Sequence, residues 1–385
     1  MKKRIVSLIV IGVIFLAPLV KSEGYKVAWD SDSIEVVLTP GTAEWECGIV
    51  MAPFVMYENG VYKMWYTGIT NNTFGIGYVT SSDGAKWKDR RLVHGPYANC
   101  YQTHSPYVIK EGDTYKMWHS DYYEWVAGDW SAYISRMTSP DGINWCNEQK
   151  VLSAQGQSTP QGDGYGVAHP CVLKEEDQYI MWYAVSDHPC SGKGGPVKIW
   201  QARSEDGIVW KDRQLALPYI QGTWENNVSS PRVVKEPDGS YIMYHDSWIL
   251  GGSMSIGRAR SKDGVNWVDR EKILDADSCN YPFYFQDPIT GIPYLYFTQA
   301  GNIVRMKGII STEKYIKAKK EVLIKENLKT LRFALAMYYD IIGRWPDRLD
   351  ALVPHYIDAL PPSICGFWKY NPKDGSIQHS LYPDW

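Results

Sequence analysis

The chain has 385 residues with 40 Lys and Arg against 43 Asp and Glu, a net charge of −3. Without a basic run in its body, this balance argues against an electrostatic nucleic-acid binder. Hydrophobic residues at 44% and charged residues at 22% exclude wholesale disorder. The 17 Trp, 28 Tyr and 33 Gly against 8 Phe favour a turn-rich β protein with aromatic layers or a sugar-binding surface.

Residues 1–22 read as a signal peptide. Lys2, Lys3 and Arg4 precede a nearly unbroken apolar run from Ile5 to Leu16, and Val20 and Ser22 stand before a cut ahead of Glu23. The run is short for a membrane span; an uncleaved N-terminal anchor is the alternative. Either way the expectation is a secreted, periplasmic or cell-surface protein. None of the seven cysteines forms a CxxC pair, so no zinc ribbon or redox motif is expected. Their spacing does not reveal pairing.

Three elements then recur along the chain. The first is Pro53-Phe-Val, Pro106-Tyr-Val, Pro170-Cys-Val, Pro231-Arg-Val and Pro282-Phe-Tyr. The second is Tyr62-Lys-Met-Trp65, Tyr115-Lys-Met-Trp118, Tyr179-Ile-Met-Trp182 and Tyr241-Ile-Met-Tyr244, with a fifth copy read as Tyr294-Leu-Tyr-Phe297. The third is Ser-x-Asp-Gly-x-x-Trp, starting at Ser81, Ser139, Ser204 and Ser261. Each unit reads as four short antiparallel strands, with Asp-Gly supplying the turn into the fourth. Five such units predict an all-β five-bladed propeller over residues 23–311. The fifth unit lacks its last strand. Trp29 to Leu38 is expected to supply it from the other end of the chain, removing an open sheet edge. Asp83, Asp141, Asp206 and Asp263 read as turn residues, and Trp65, Trp118 and Trp182 as packing between blades.

The variable connections on the face where the first strands begin are where chemistry is expected. Asp121, Asp187 and Asp246 each follow a second strand, so three adjacent blades are expected to present a carboxylate at one level. They are the candidate catalytic residues. Glu46 and Glu225, each following a Trp in matching places of blades one and four, are held in reserve. Paired carboxylates on one concave face suit glycosidic-bond cleavage, one protonating the leaving oxygen while the other activates water or attacks the anomeric carbon. His104, His169, His245, Trp125 and Trp248 are candidate substrate-binding residues. No metal-ligand spacing stands out and no cofactor is required, although a His/Asp cluster on the axis could hold calcium. The expected ligand is an oligosaccharide or polysaccharide.

The repeated Pro-x-Val, Tyr-Lys-Met-Trp-Tyr and Ser-x-Asp-Gly-x-x-Trp elements, over about residues 25–310, resemble the five-bladed propellers of glycoside hydrolase families 32, 43, 62, 68 and 130. The resemblance implies a hydrolase of arabinose- or xylose-containing glycans, as in family 43, or a mannoside phosphorylase or hydrolase, as in family 130. Family 43 enzymes place an Asp before the first-blade Pro; here that residue is Ala52, and the second-blade counterpart is Ser105. The family 43 triad is therefore not carried over. Cleavage by other carboxylates, glycan binding without cleavage, and a surface-assembly role all stay open.

Residues 312–385 change character and predict a small α+β domain. Ile324, Leu328, Leu331, Leu335, Tyr338 and Ile342 mark a helix stripe ended by Gly343. A short helix follows through Ala351 and Leu352, then a hairpin over Phe367–His379. The run from Asn327 to Tyr339, with Gly343-Arg-Trp-Pro346, resembles the soluble part of type II secretion pseudopilins. That resemblance implies an interaction module with a protein partner; a simple packing appendage is the alternative.

Overall fold

The computed structural model describes residues 27–70, 73–97, 101–125, 129–154, 166–186, 197–249, 252–276, 278–310, 313–353 and 368–380. Strand β1 (Val27–Leu38) precedes five repeating units. Blade one contains β2 (Ile49–Glu58), β3 (Val61–Thr70), β4 (Thr73–Ser81) and β5 (Lys88–Tyr97). Blade two contains β6 (Tyr101–Glu111), β7 (Thr114–Trp125), β8 (Asp129–Ser139) and β9 (Cys146–Ser153). Blade three contains β10 (Gly166–Glu175), β11 (Gln178–Ser186), β12 (Val197–Ser204) and β13 (Lys211–Leu217). Blade four contains β14 (Val228–Lys235), β15 (Tyr241–Trp248), β16 (Met254–Ser261) and β17 (Trp267–Ala276). Blade five is β18 (Asn280–Gln286), β19 (Pro293–Gln299), β20 (Asn302–Ile310) and the returning β1. Every neighbouring pair is antiparallel, and β1 closes on β20 from Val27↔Ile310 to Leu38↔Ile303. The N-terminal strand therefore completes the last blade, and Trp29 packs edge-on against Tyr244 and Tyr284.

The Ser-x-Asp-Gly turn is self-contained. Asp83 Oδ1 accepts from the backbone N–H groups of Ala85 and Lys86, while Ser81 Oγ accepts from those of Asp83 and Gly84. The same pattern recurs at Asp141, Asp206 and Asp263. The pKa of each of the four aspartates is lowered, in Asp141 against burial, which raises it, through Asn144, Ile143 and Ser139. Each turn is also a socket for the preceding blade. Trp65 Nε1 donates to Gly142 O, Trp118 to Gly207 O and Trp182 to Gly264 O, and Tyr296 Oη to Gly84 O. That last bond corrects the register of the fifth copy: Tyr296, not Phe297, stands in the Trp position, because Pro293 takes the place of the repeat's first Tyr. Strand pairing agrees, with Phe54 opposite Trp65 and Phe283 opposite Tyr296.

Each first strand carries a bulge at the residue before its Pro, and Ala52, Ser105, His169, Ser230 and Tyr281 all have φ between 47° and 55°. A pre-proline residue ordinarily prefers extended backbone. Hooks from the preceding blade offset the strain in four cases. The N–H of Ala52 donates to Thr298 Oγ1, of Ser105 to Thr67 Oγ1, of His169 to Ser120 Oγ and of Tyr281 to Asp246 Oδ2. The residues after the five prolines converge on the axis: Phe54, Tyr107, Cys171, Arg232 and Phe283. The Arg232 guanidinium is buried 4.9 Å from the Tyr107 ring centre and 5.2 Å from that of Phe283, a cation–π cage that seals the channel. An axial calcium would have to share this core with a fixed positive charge.

Beyond the propeller, α1 (Glu313–Ile342) buries Ile324, Leu328, Leu331 and Leu335, and Gly343 caps it with φ 76° and a bond from its N–H to Tyr339 O. Ile342, placed in the stripe by sequence, is instead 49% exposed. A 3₁₀ turn at Leu349–Leu352 and the hairpin β21 (Trp368–Tyr370) and β22 (Ile377–His379) complete a small separate core around Leu331, Leu352 and Ile377. No described helix is long and apolar enough to cross a membrane. Cys47, Cys146, Cys171 and Cys279 are free thiols.

Candidate active site

The bulges that break the first strands also open a cavity of about 300 Å³ above the axial cage, on the face where those strands begin. His169, Ser229, Ser230, Asp246, Trp248, Met254, Asn280 and Tyr281 line it, contributed by blades three, four and five. Asp246 does not follow the second strand but lies within it, two residues before its end at Trp248, and its side chain crosses to blade five, where Oδ2 accepts from the Tyr281 N–H at 2.9 Å. Its Oδ1 is buried without a hydrogen-bond partner. Burial raises its pKa from the ordinary aspartate value, against the Tyr281 N–H, Ser230 and His245, which favour the anion. A protonated carboxyl is therefore accessible here at higher pH than for a solvated aspartate.

His169 Nδ1 lies 2.8 Å from Ser229 Oγ and 3.3 Å from Ser230 Oγ. Burial, then the nearby Arg232 charge, pulls its pKa down to about 3, so the ring is neutral. His104 stands behind it, ring centres 5.3 Å apart, stacked on Tyr122 and bonded through Nδ1 to Ser105 Oγ at 2.7 Å. It supports His169 without lining the cavity. Trp248 lines the wall, and Asn227 Nδ2 holds its carbonyl. Asn280 Oδ1 is a second buried acceptor without a partner. Two unpaired acceptors beside an indole suit a polyhydroxylated ligand, whose hydroxyl groups donate while its apolar ring face stacks.

The remaining candidates go elsewhere. Asp121 and Asp246 do not share a level. Counted from the aligned Trp118 and Tyr244, Asp121 is three residues on and Asp246 two, and side chains alternate along a strand. Asp121 is fully buried in the seam between blades one and two, 3.2 Å from His119 Nδ1. Glu46 is 2% exposed and accepts from Tyr66 Oη at 2.6 Å and Arg90 Nη1 at 2.8 Å. Glu225, also 2% exposed, lies 3.3 Å from both His245 Nε2 and Arg270 Nη1. These two glutamates pin the incoming connections onto their blades; they do not face the cavity. His245 belongs to the second pin, fully buried and stacked on Trp224. Asp187 and the Trp125 side chain lie outside the described residues. Sequence reasoning passed over Ser229, Asn280 and Tyr281. Their signal was position, at or next to the residue before a repeated Pro.

The family model for β-1,4-mannooligosaccharide phosphorylases, glycoside hydrolase family 130, matches residues 83–334. An uncharacterised protein of Mycobacterium tuberculosis (strain CDC 1551 / Oshkosh) is 27% identical over 226 residues, spanning 55% of this chain and 71% of that protein. The 1,2-β-oligomannan phosphorylase of Thermoanaerobacter sp. (strain X514) is 24% identical, spanning 54% and 68%. Among solved structures, the β-1,2-mannobiose phosphorylase of Listeria innocua superposes with a TM-score of 0.54 at 13% identity, over 77% of this chain and 99% of that one. A glycosyl hydrolase of Bacteroides ovatus gives 0.53 at 15%, over 74% and 94%. The structural neighbours share the propeller, and the family match covers more than half of the sequence: the chain belongs to glycoside hydrolase family 130.

Proposed function

We propose that this protein cleaves a β-mannoside-containing oligosaccharide in the cavity between blades three, four and five, with Asp246 as the proton donor. The observation that carries this reading is the buried Asp246 carboxyl, its Oδ1 unpartnered and its pKa raised, on the wall of a cavity that also offers Trp248 and Asn280. A protonated carboxyl delivers its proton to the glycosidic oxygen as the bond to the anomeric carbon breaks. Asp246 is the one carboxylate among the described lining residues, and in this reading the nucleophile is phosphate or water from solution. Phosphate, itself an anion, needs no second carboxylate; water does. The basic and apolar N-terminal run supports action outside the cytoplasm.

Incubation with β-1,4- and β-1,2-linked mannooligosaccharides, with and without inorganic phosphate, separates the routes by product: mannose 1-phosphate or free mannose. Asp246→Asn is expected to lower turnover by ~10²–10⁴-fold. The same change is expected to raise stability at neutral pH. With its native pKa raised, Asp246 stabilises the fold as the neutral acid, and that contribution is lost as pH rises above the unfolded value near 3.8. An active Asp246→Asn enzyme removes Asp246 from the chemistry. A single carboxylate among the described lining residues also favours a second reading, glycan binding without cleavage. Saturable mannooligosaccharide binding with no product under either condition would establish it.

A further inference from the structure

The seam between blades one and two holds a cluster that the cavity does not use. His94 on β5, His119 and Asp121 on β7, and Glu148 on β9 each offer a donor atom, and the four atoms lie within 4.8 Å of one another. Glu148 Oε1 is 3.4 Å from His94 Nε2 and 3.6 Å from His119 Nε2. Asp121 Oδ1 and Thr103 Oγ1 stand 3.2 and 3.1 Å from His119 Nδ1, on the other side of the ring. His119 and Asp121 are fully buried. His119 Nε2 and both Asp121 oxygens have no hydrogen-bond partner of adequate geometry.

The repeat supplies an internal control. Three residues after the turn Trp, blades one, three and four carry Arg90, Arg213 and Arg270, and blade two carries Glu148. In blades one and four that arginine neutralises the buried Glu46 or Glu225. Blade two reverses the sign at this position. It also adds Asp121, where the aligned residues are Gly68, Val185 and Ser247. Among the described residues no Lys or Arg pairs with Asp121 or Glu148. Two carboxylates thus meet two imidazoles with no fixed positive charge, so the charge of the buried Asp121 must be offset by an imidazole or by a bound cation.

We propose that this seam is a binding site for a divalent first-row transition ion of the zinc type, held by His94, His119 and Glu148, with Asp121 orienting His119. Nitrogen and carboxylate donors favour such an ion over calcium, which takes six or more oxygens. Bonds of about 2.0–2.2 Å to a tetrahedral ion place its ligands roughly 3.3–3.6 Å apart, the spacing seen between Glu148 and both imidazoles. A partner on the far nitrogen fixes the tautomer of a ligating histidine; Thr103 Oγ1 is hydrogen-bonded there, with the Asp121 carboxylate beside it. Glu148, 34% exposed, provides the entry path. The ion would clamp blade one to blade two, doing there what the Glu–Arg pin does within blades one and four.

The test uses the full-length protein without a polyhistidine tag, stripped with EDTA and titrated with Zn²⁺. The expected result is one zinc per chain by elemental analysis and a melting temperature that rises with Zn²⁺, falls with EDTA and does not respond to equimolar Ca²⁺. Glu148→Arg, which introduces the residue type of blades one, three and four, is expected to abolish both zinc uptake and the zinc-dependent shift, while melting in EDTA no lower than the wild type. Wild-type protein that takes up no zinc, responds equally to Ca²⁺, or gains no stability from zinc overturns the proposal. So does full zinc uptake by both Glu148→Arg and His119→Asn, which would assign the metal to other donors.

Discussion

His169 is neutral because its ring is largely withdrawn from water in the cavity wall, near a caged guanidinium. An unfolded histidine titrates near 6.5, whereas His169 does so at about 3. Its contribution to stability is complete above pH 6.5 and is lost as pH falls through the interval down to 3, by roughly 1.4 kcal/mol per pH unit. Burial depresses His104 in the same direction, with the neighbouring histidines adding to it. Urea denaturation between pH 6.5 and 5 is therefore expected to show a steep loss of stability that His169→Gln makes shallower. A variant with the wild-type slope would place the acid sensitivity elsewhere. At this scale the sequence was a partial guide. Asp246, His169 and Trp248 reach one cavity, but Glu46, Glu225 and His245 looked equally chemical and turn out to be locked inside pins. Their partners Arg90 and Arg270 lie 44 and 45 residues along the chain from the glutamates they meet, a separation that no local pattern reveals.

At the scale of the element, the Ser-x-Asp-Gly turn does two things with one backbone. Its glycine adopts positive φ to make the turn, and its carbonyl receives the indole of the previous blade. Gly207 has φ 73°, and a Cβ there would stand 2.8 Å from Trp118 Cζ2. Gly207→Ala is expected to cost about 1–2 kcal/mol for the left-handed backbone and a further ~1–3 kcal/mol for crowding Trp118. Asp206→Ala, which loses only bonds within the turn, should cost less. Denaturation midpoints that rank the two variants the other way would show that the socket does not bind the blades together. These turns were legible because the bonds that shape them fall within a few residues of sequence, while the indole each receives comes from the previous blade. The fifth blade was misaligned by one residue because it lacks the turn that anchors the count.

For the whole molecule, stability depends on ring closure. Strand β1 supplies the outer strand of a blade whose other three strands come from the far end of the propeller, and Arg258 reaches from blade four to the Val27 carbonyl at 2.9 Å. A chain beginning at residue 39 would leave β20 with an open edge, which invites intermolecular pairing. Size-exclusion chromatography and thermal melting of that truncation should show self-association and loss of a single cooperative transition. A monodisperse product melting like the full chain would refute closure by β1.

The sequence by itself determined the number of blades, their turns and the strand that closes the ring, because repeats, alternation and Asp-Gly turns act over short distances. It also set the expectation that chemistry gathers on one face. The tertiary structure decided which polar groups share a cavity and which share a seam. A strand sends successive side chains to opposite sides, so one residue of offset separates Asp246 in the cavity from Asp121 against His119. The environments of both were set by neighbouring blades, whose residues meet theirs only when the ring is closed.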